Sequence, residues 1–509
     1  MKTEQTRHPL RPAAAAARTL TLMALLTGTP LLLSPALVAG TDMTITDDGI
    51  STAVQRHIHQ DRGLTGAAIK VQTTQGIVSL SGAVDNLLAR DRAVRIADSI
   101  RGVRSVVDEI TVAPLTRPSG DIQKDIQAAL HQDPATASYS VAVSVDDSVA
   151  TLTGRVGSWA ERQLAERIAK GVKGLLLVRN HIEIDYASKR TDQQIADDVK
   201  SRLQWDIWLD GDSIKASVSQ GKVTLSGSTG SALARTRAFD DAWVDGVTSV
   251  DDTHVKVEPG TAGADQRSSS DVHRTDSAIE SAIQSALRLD PRVAAFVRDI
   301  TVRIEDGTVI LSGSVGNVAA KDAAEAAARN TVGVEWVDNV LTVSAFVNLP
   351  SDSDAERDLR AALRWNPLID STTIDAAVVD HVAYLSGRVT SILERVEAQA
   401  VASRTKGVKL VRNLLKVEPE VTVSYSDWPS YVSVTSEPKP PKSDEQIKRA
   451  IEKAFFWSPF VHRDDITVTV DGGVATLTGT VGSWIGWGEA DKDARNSGAA
   501  VVLNRLKVR

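Results

Sequence analysis

The chain contains no cysteine among its 509 residues. Disulfides, thiolate metal sites and a lipid anchor built on a cysteine at a cleavage site are excluded, so stability must come from packing alone. Aromatic residues are sparse, at 10 Trp, 5 Tyr and 6 Phe. An excess of positive charge is missing too: the net charge is −7, a sign that opposes nucleic acid and weakens purely electrostatic attachment to anionic lipid. The nine histidines are scattered, with only His57 and His59 close together. No dense metal-ligand spacing, EF-hand loop, Gly-x-Gly-x-x-Gly or Walker pattern occurs, and no nucleophile stands with a base and an orienting partner. No metal, no cofactor and no enzymatic activity are expected.

The first forty residues stand apart. Lys2, Arg7, Arg11 and Arg18 precede an uncharged apolar run from Thr19 to Gly40, with small residues at Ala36, Ala39 and Gly40. Residues 1–40 read as a secretory signal peptide. A retained anchor is the alternative, since the 22 uncharged residues are long enough for a bilayer; Gly28, Pro30 and Pro35 make a poor helix and favour cleavage. Both readings put the rest of the chain outside the cytoplasm, in a periplasmic setting. Residues 1–40 hold four basic groups and one acidic (Glu4), so the remainder carries −10. Its length exceeds what one hydrophobic core usually organises, and several domains are expected.

What is present is repetition. One pattern recurs six times, centred on Gly76-Ile-Val-Ser-Leu-Ser-Gly82 and its counterparts ending at Gly154, Gly227, Gly313, Gly387 and Gly479. Before each centre, apolar residues fall at i, i+4 and i+8: Ile50, Val54 and Ile58 in the first copy, and Ile447, Ile451 and Phe455 in the sixth. That spacing predicts a helix with one buried stripe. Prolines at 134, 291, 367 and 459 stop four of these helices, and Thr191 with Gln194 and Ser443 with Gln446 form capping boxes. A period-two strand follows, seen in Ile300, Val302 and Ile304, then a tight turn and a returning strand, which together make a β-hairpin. The Ser/Thr-Gly pair is read as closing that hairpin and leading into a second helix. A further glycine (Gly102, Gly174, Gly246, Gly333, Gly407, Gly498) is read as its C′ residue.

A third strand ends each copy. In five of them an acid or amide (Asp108, Asn180, Asn339, Asn413, Asn504) shares parity with the aliphatic residues and faces the core side, where it should bond to neighbouring backbone. The third copy has Asp251-Asp252-Thr253-His254 instead, which predicts a one-residue bulge. A helical crossover makes the third strand parallel to the second. The predicted fold is α+β: a tandem array of six small αββαβ modules, each a three-stranded mixed sheet with two helices on one face.

This order, the Leu-Ser/Thr-Gly hairpin and the Gly-Val-x-x-Val-x-Asn-x-Leu-x-Val ending resemble the BON domain, named for bacterial osmotically induced and nodulation proteins. The six copies occupy residues 46–113, 119–184, 191–257, 274–343, 351–417 and 443–508. Residues 258–273 are read as a linker, and 418–442 as a linker or, because Val421–Val434 alternates apolar and polar, an added hairpin. The short joins between copies one to three suggest blocks of three, two and one. The resemblance implies an exported envelope protein that binds phospholipid or maintains the envelope under osmotic stress; a chaperone-like or scaffold protein binding other envelope proteins is the alternative.

Copy six concentrates the scarce aromatics. Phe456, Trp457, Phe460, Trp484 and Trp487 lie off its core stripe, and Trp159 of copy two follows the same Val-Gly-Ser trio as Trp484. These six are the candidate contacts for lipid headgroups, where indole rings are favoured. The competing reading packs them between helix and sheet. Linked weak sites would reinforce one another by raising effective concentration.

Overall fold

The structure, a computed structural model, describes residues 44–64, 67–209, 213–258, 274–305, 307–344, 349–417 and 442–508. Residues 1–40, most of the 258–273 linker and the alternating segment Val421–Val434 lie outside the described residues. Six modules follow in chain order, each helix, hairpin, helix, strand. In every sheet the hairpin pairs antiparallel and the third strand lies parallel beside the second, giving the order 1-2-3.

The first helices are all 14 residues long: Asp47–Gln60, Ser119–Gln132, Asp192–Trp205, Asp276–Leu289, Asp352–Trp365 and Asp444–Trp457. Every stripe residue named from the sequence is buried, none more than 7% exposed. Both predicted capping boxes form, and four helices end just before their prolines, with caps Asp133, Asp290, Asn366 and Ser458 in extended conformation. Modules 3 to 6 each close a separate apolar core. The cores of modules 1 and 2 run together, joined by Ala232 of module 3 and Trp457 of module 6.

Three local details differ from expectation. The hairpin glycine does not end its strand: Gly82 sits inside Ile77–Val84, opposite Ile69, at φ 125°. A Cβ there would lie 2.0 Å from the Ala68 carbonyl oxygen, and all six equivalents show the same approach, 2.0–2.2 Å. The requirement is therefore close contact with the first strand combined with positive φ, not a turn. The later glycine is at C′ only in module 6, where Gly498 follows the cap Ser497; in module 1, Ser99–Arg101 intervene before Gly102. Finally, the third strand is interrupted after the asparagine in modules 4 and 5, pairing as Trp336–Asn339 then Thr342–Val343, and as Leu410–Asn413 then Lys416–Val417. The predicted bulge in module 3 is present as a register shift between Thr224 and Ser226.

The strand-three amides tie this strand to the second helix. Asn339 donates from Nδ2 to the Lys321 carbonyl and to Glu325, both at 3.0 Å, and its Oδ1 accepts the Leu341 N–H at 3.3 Å. Asn180, Asn413 and Asn504 repeat the carbonyl contact, while Asp108 substitutes an ion pair with Arg90 at 2.7 Å.

The modules do not group as three, two and one. They pair across the linkers: the N–H of Arg101 donates to the Trp457 carbonyl (module 1 with 6), Lys173 to Trp365 (2 with 5) and Val332 to Trp205 (4 with 3), at 2.9–3.0 Å. Each acceptor is the last residue of a first helix, whose carbonyl has no intrahelical donor. Each donor precedes a positive-φ glycine.

Candidate binding surface

The six aromatic residues proposed as contacts are used inside the molecule. Trp457 is only 5% exposed and lies so close to Gly49 of module 1 that a Cβ there would come within 2.8 Å of the indole. Trp159 stacks on Trp243 of module 3 at 4.1 Å, with Phe239 edge-on. Phe460 meets Trp208 of module 3 at 4.9 Å, and Trp484 meets Trp336 of module 4 at 5.2 Å beneath Arg329. Phe456 packs on the joint core of modules 1 and 2, and Trp487 on the core of module 6. None of the six is exposed. Most of them join modules, a role that neither sequence reading anticipated.

What remains outward is the sheet face opposite the helices. On a strand, alternate residues face opposite sides, so the parity that buries Val502 and Leu506 turns Val501, Leu503, Arg505 and Lys507 outward. All four are exposed. In module 5 the outward row is Leu410, Arg412, Leu414 and Lys416, again all exposed, with Tyr384 beside Arg412 on the neighbouring strand. Each row thus places two aliphatic side chains next to two cations, and among the described residues none of the four cations is in an ion pair.

The other modules differ. Module 2 shows Leu177, Arg179, His181 and Glu183, and module 4 shows Trp336, Asp338 and Val340. Module 1 shows Val107 and Glu109, and module 3 has no exposed large apolar residue. Among the described residues, a third-strand row of two aliphatic residues and two unpaired cations with no acid in it occurs in modules 5 and 6 and not in the other four. The signal was available in the sequence, because the period that assigns the inner face assigns the outer one as well.

Among the described residues, no group of three or more His, Asp or Glu is placed to hold a metal ion, and no helix is long and apolar enough to cross a membrane. An array of small αββαβ modules, with packed interiors and repeated outward sheet faces, defines a repeat protein.

The chain belongs to the BON-domain family, whose model matches residues 46–114, 119–186, 191–259, 275–345, 351–419 and 443–509. It is similar to the Osmotically-inducible protein Y of Escherichia coli (strain K12), 33% identical over 144 residues, covering 27% of this chain and 72% of that protein. It is also similar to the outer membrane lipoprotein DolP of Haemophilus influenzae, 29% identical over 144 residues, covering 28% of this chain and 74% of that protein. Among solved structures, the C-terminal domain of CdsD, a structural protein of the type III secretion system of Chlamydia trachomatis, aligns over 42% of this chain and all of that chain at 16% identity and a TM-score of 0.12.

Proposed function

We propose that the protein is an exported, non-catalytic envelope protein that attaches to phospholipid surfaces through the outward sheet faces of modules 5 and 6 and serves envelope maintenance under osmotic stress. The observation that carries this reading is the paired rows Leu410-Arg412-Leu414-Lys416 and Val501-Leu503-Arg505-Lys507. Near an anionic membrane surface each Lys or Arg contributes about 1 kcal/mol. The aliphatic neighbours add burial at the headgroup boundary, at roughly 25 cal/mol per Å². The overall negative charge does not cancel this attraction, because charges beyond a screening length of about 8 Å are weakly felt at physiological salt. Two faces on one chain act together, so modest single affinities combine.

The names of the relatives, one osmotically inducible and one an outer membrane protein, support an envelope setting, as does the amino-terminal segment. Flotation of the chain lacking residues 1–40 with vesicles tests the reading. Binding to phosphatidylglycerol-containing vesicles, weaker on purely zwitterionic ones and reduced by salt, is expected. Failure to float with either at low salt would remove it, and co-purification of defined envelope proteins in place of lipid would favour the scaffold alternative.

A further inference from the structure

On the helical side of the modules, opposite the sheet faces, two cavities of about 380 Å³ each adjoin. Leu164, Arg167 and Arg292 line both, so the two share a wall. Modules 1, 2, 4 and 5 supply the lining of the second, which includes Arg92, Arg95, Arg167, Arg292 and Arg404. Three of these cations have carboxylate partners: Arg92 with Asp61 at 2.6 Å, Arg292 with Asp290 at 2.6 Å and Arg404 with Glu397 at 3.9 Å. The side chains of Arg95 and Arg167 make no hydrogen bond or ion pair with any described residue. Both keep their side chains open to the cavity. Loss of solvation lowers the Arg167 pKa and the charges of Arg292 and Arg95 lower it further, against the opposing pull of Asp240 and Asp290.

The cavity lining also holds the acids Asp133 and Asp322. Asp133 accepts the Ala135 N–H at 2.9 Å, and the charges of both acids act on Arg292. Arg95 and Arg167, from two modules, are neighbouring cations whose side chains make no ion pair with a described residue, although Asp240 and Asp290 act on Arg167 from a distance; planar guanidinium groups so placed suit the oxygens of a phosphate.

We propose that this chamber binds a phosphate group, held by Arg95 of module 1 and Arg167 of module 2 with Arg292 beside them. The ligand class is a small phosphate-bearing anion that fits about 380 Å³, and its binding would fasten the first two modules to modules 4 and 5. Because the chamber is lined by helices, it is separate from the sheet faces proposed above for membrane contact.

The test is calorimetric titration of inorganic phosphate into the chain lacking residues 1–40, at constant ionic strength set with chloride, beside Arg95→Gln/Arg167→Gln. Saturable binding weakened at least tenfold in the variant is expected. Without phosphate, the variant should have a thermal midpoint equal to or above the wild type, because like charges have been removed; a merely structural role for these arginines would lower it. No phosphate binding beyond the chloride control, or equal binding by the variant, overturns the proposal. Flotation with phosphatidylglycerol vesicles separates the sources of the phosphate group. Unchanged flotation of the variant points to a soluble ligand. Flotation lost in parallel with phosphate binding assigns the group to a lipid headgroup, and the sheet faces would then not be the membrane contact.

Discussion

At the scale of single residues, the six hairpin glycines and the strand-three amides carry the module. Gly313 lies opposite Ile300 at φ 112°, and a Cβ would stand 2.0 Å from the Asp299 carbonyl oxygen. Gly313→Ala combines that clash with an unfavourable backbone region, so urea unfolding should show a loss of about 2 kcal/mol or more. Recurrence of this glycine was plain in the sequence, but its reason was not, because a close approach between strands is a property of the paired hairpin. An unread residue does related work: Asp47, at the first position of its helix, accepts the N–H groups of Gln75 and Gly76 at 2.7 and 2.9 Å. Asp192, Asp352 and Asp444 do the same for their own hairpin turns, where both central residues have positive φ.

Buried acids at module contacts set a pH dependence. Asp493 of module 6 lies 4.0 Å from His57 of module 1, and its pKa is raised to about 7 by burial first and then by Glu489, against the opposing pull of Lys492 and Arg56. An acid with a raised folded pKa binds more protons folded than unfolded, so stability falls as pH rises from about 4 to about 7. His57 is lowered, chiefly by burial, and acts oppositely just below its ordinary range near 6.5. Asp493→Asn should therefore gain on the order of 1–3 kcal/mol over wild type at pH 8 and clearly less at pH 5. Denaturation midpoints at the two pH values check this; an equal effect at both would show that Asp493 is charged throughout.

At the scale of elements, what was legible follows from periodicity. The i, i+4, i+8 stripes found every first helix, and alternation found the hairpins and the core parity of the third strands, because each stripe is buried against its own module's sheet and second helix, even where the cores of modules 1 and 2 merge. Module-to-module contacts were not legible, since they depend on surfaces with no periodic signature. Trp205, Trp365 and Trp457 each end a first helix and hand a carbonyl to another module, and modules 1, 2 and 4 end theirs with Gln60, Gln132 and Leu289 instead. The aromatic enrichment of module 6 was visible, but its use was not: most of the rings fasten modules to one another and the outward strands are left exposed. Trp457→Ala removes a buried indole from the contact of modules 1 and 6 and should destabilise that contact by about 3–5 kcal/mol. Hydrogen exchange should report lost protection at the Arg101 amide, which bonds to the Trp457 carbonyl, with the Gly76 amide inside module 1 kept.

At the scale of the whole molecule, the described residues from 44 onward pack as one compact unit, although the linkers before modules 4 and 6 suggested independent blocks. Pairing of 1 with 6, 2 with 5 and 3 with 4 lets distant parts of the chain hold one another, so a module whose own core is modest gains stability from its neighbours. The helical faces are spent on these contacts and on the arginine-lined chamber, and the sheet faces are left outward. Among the described residues, outward third-strand rows of two aliphatic residues and two cations without an acid are found in modules 5 and 6. The most direct measurement is vesicle co-sedimentation of Arg412→Gln/Lys416→Gln/Arg505→Gln/Lys507→Gln beside wild type, on phosphatidylglycerol-containing vesicles at low salt. All four side chains are exposed and unpaired, so folding should be untouched, and the account predicts that the wild type pellets and the variant loses at least tenfold in vesicle affinity. Equal pelleting of the two would contradict it.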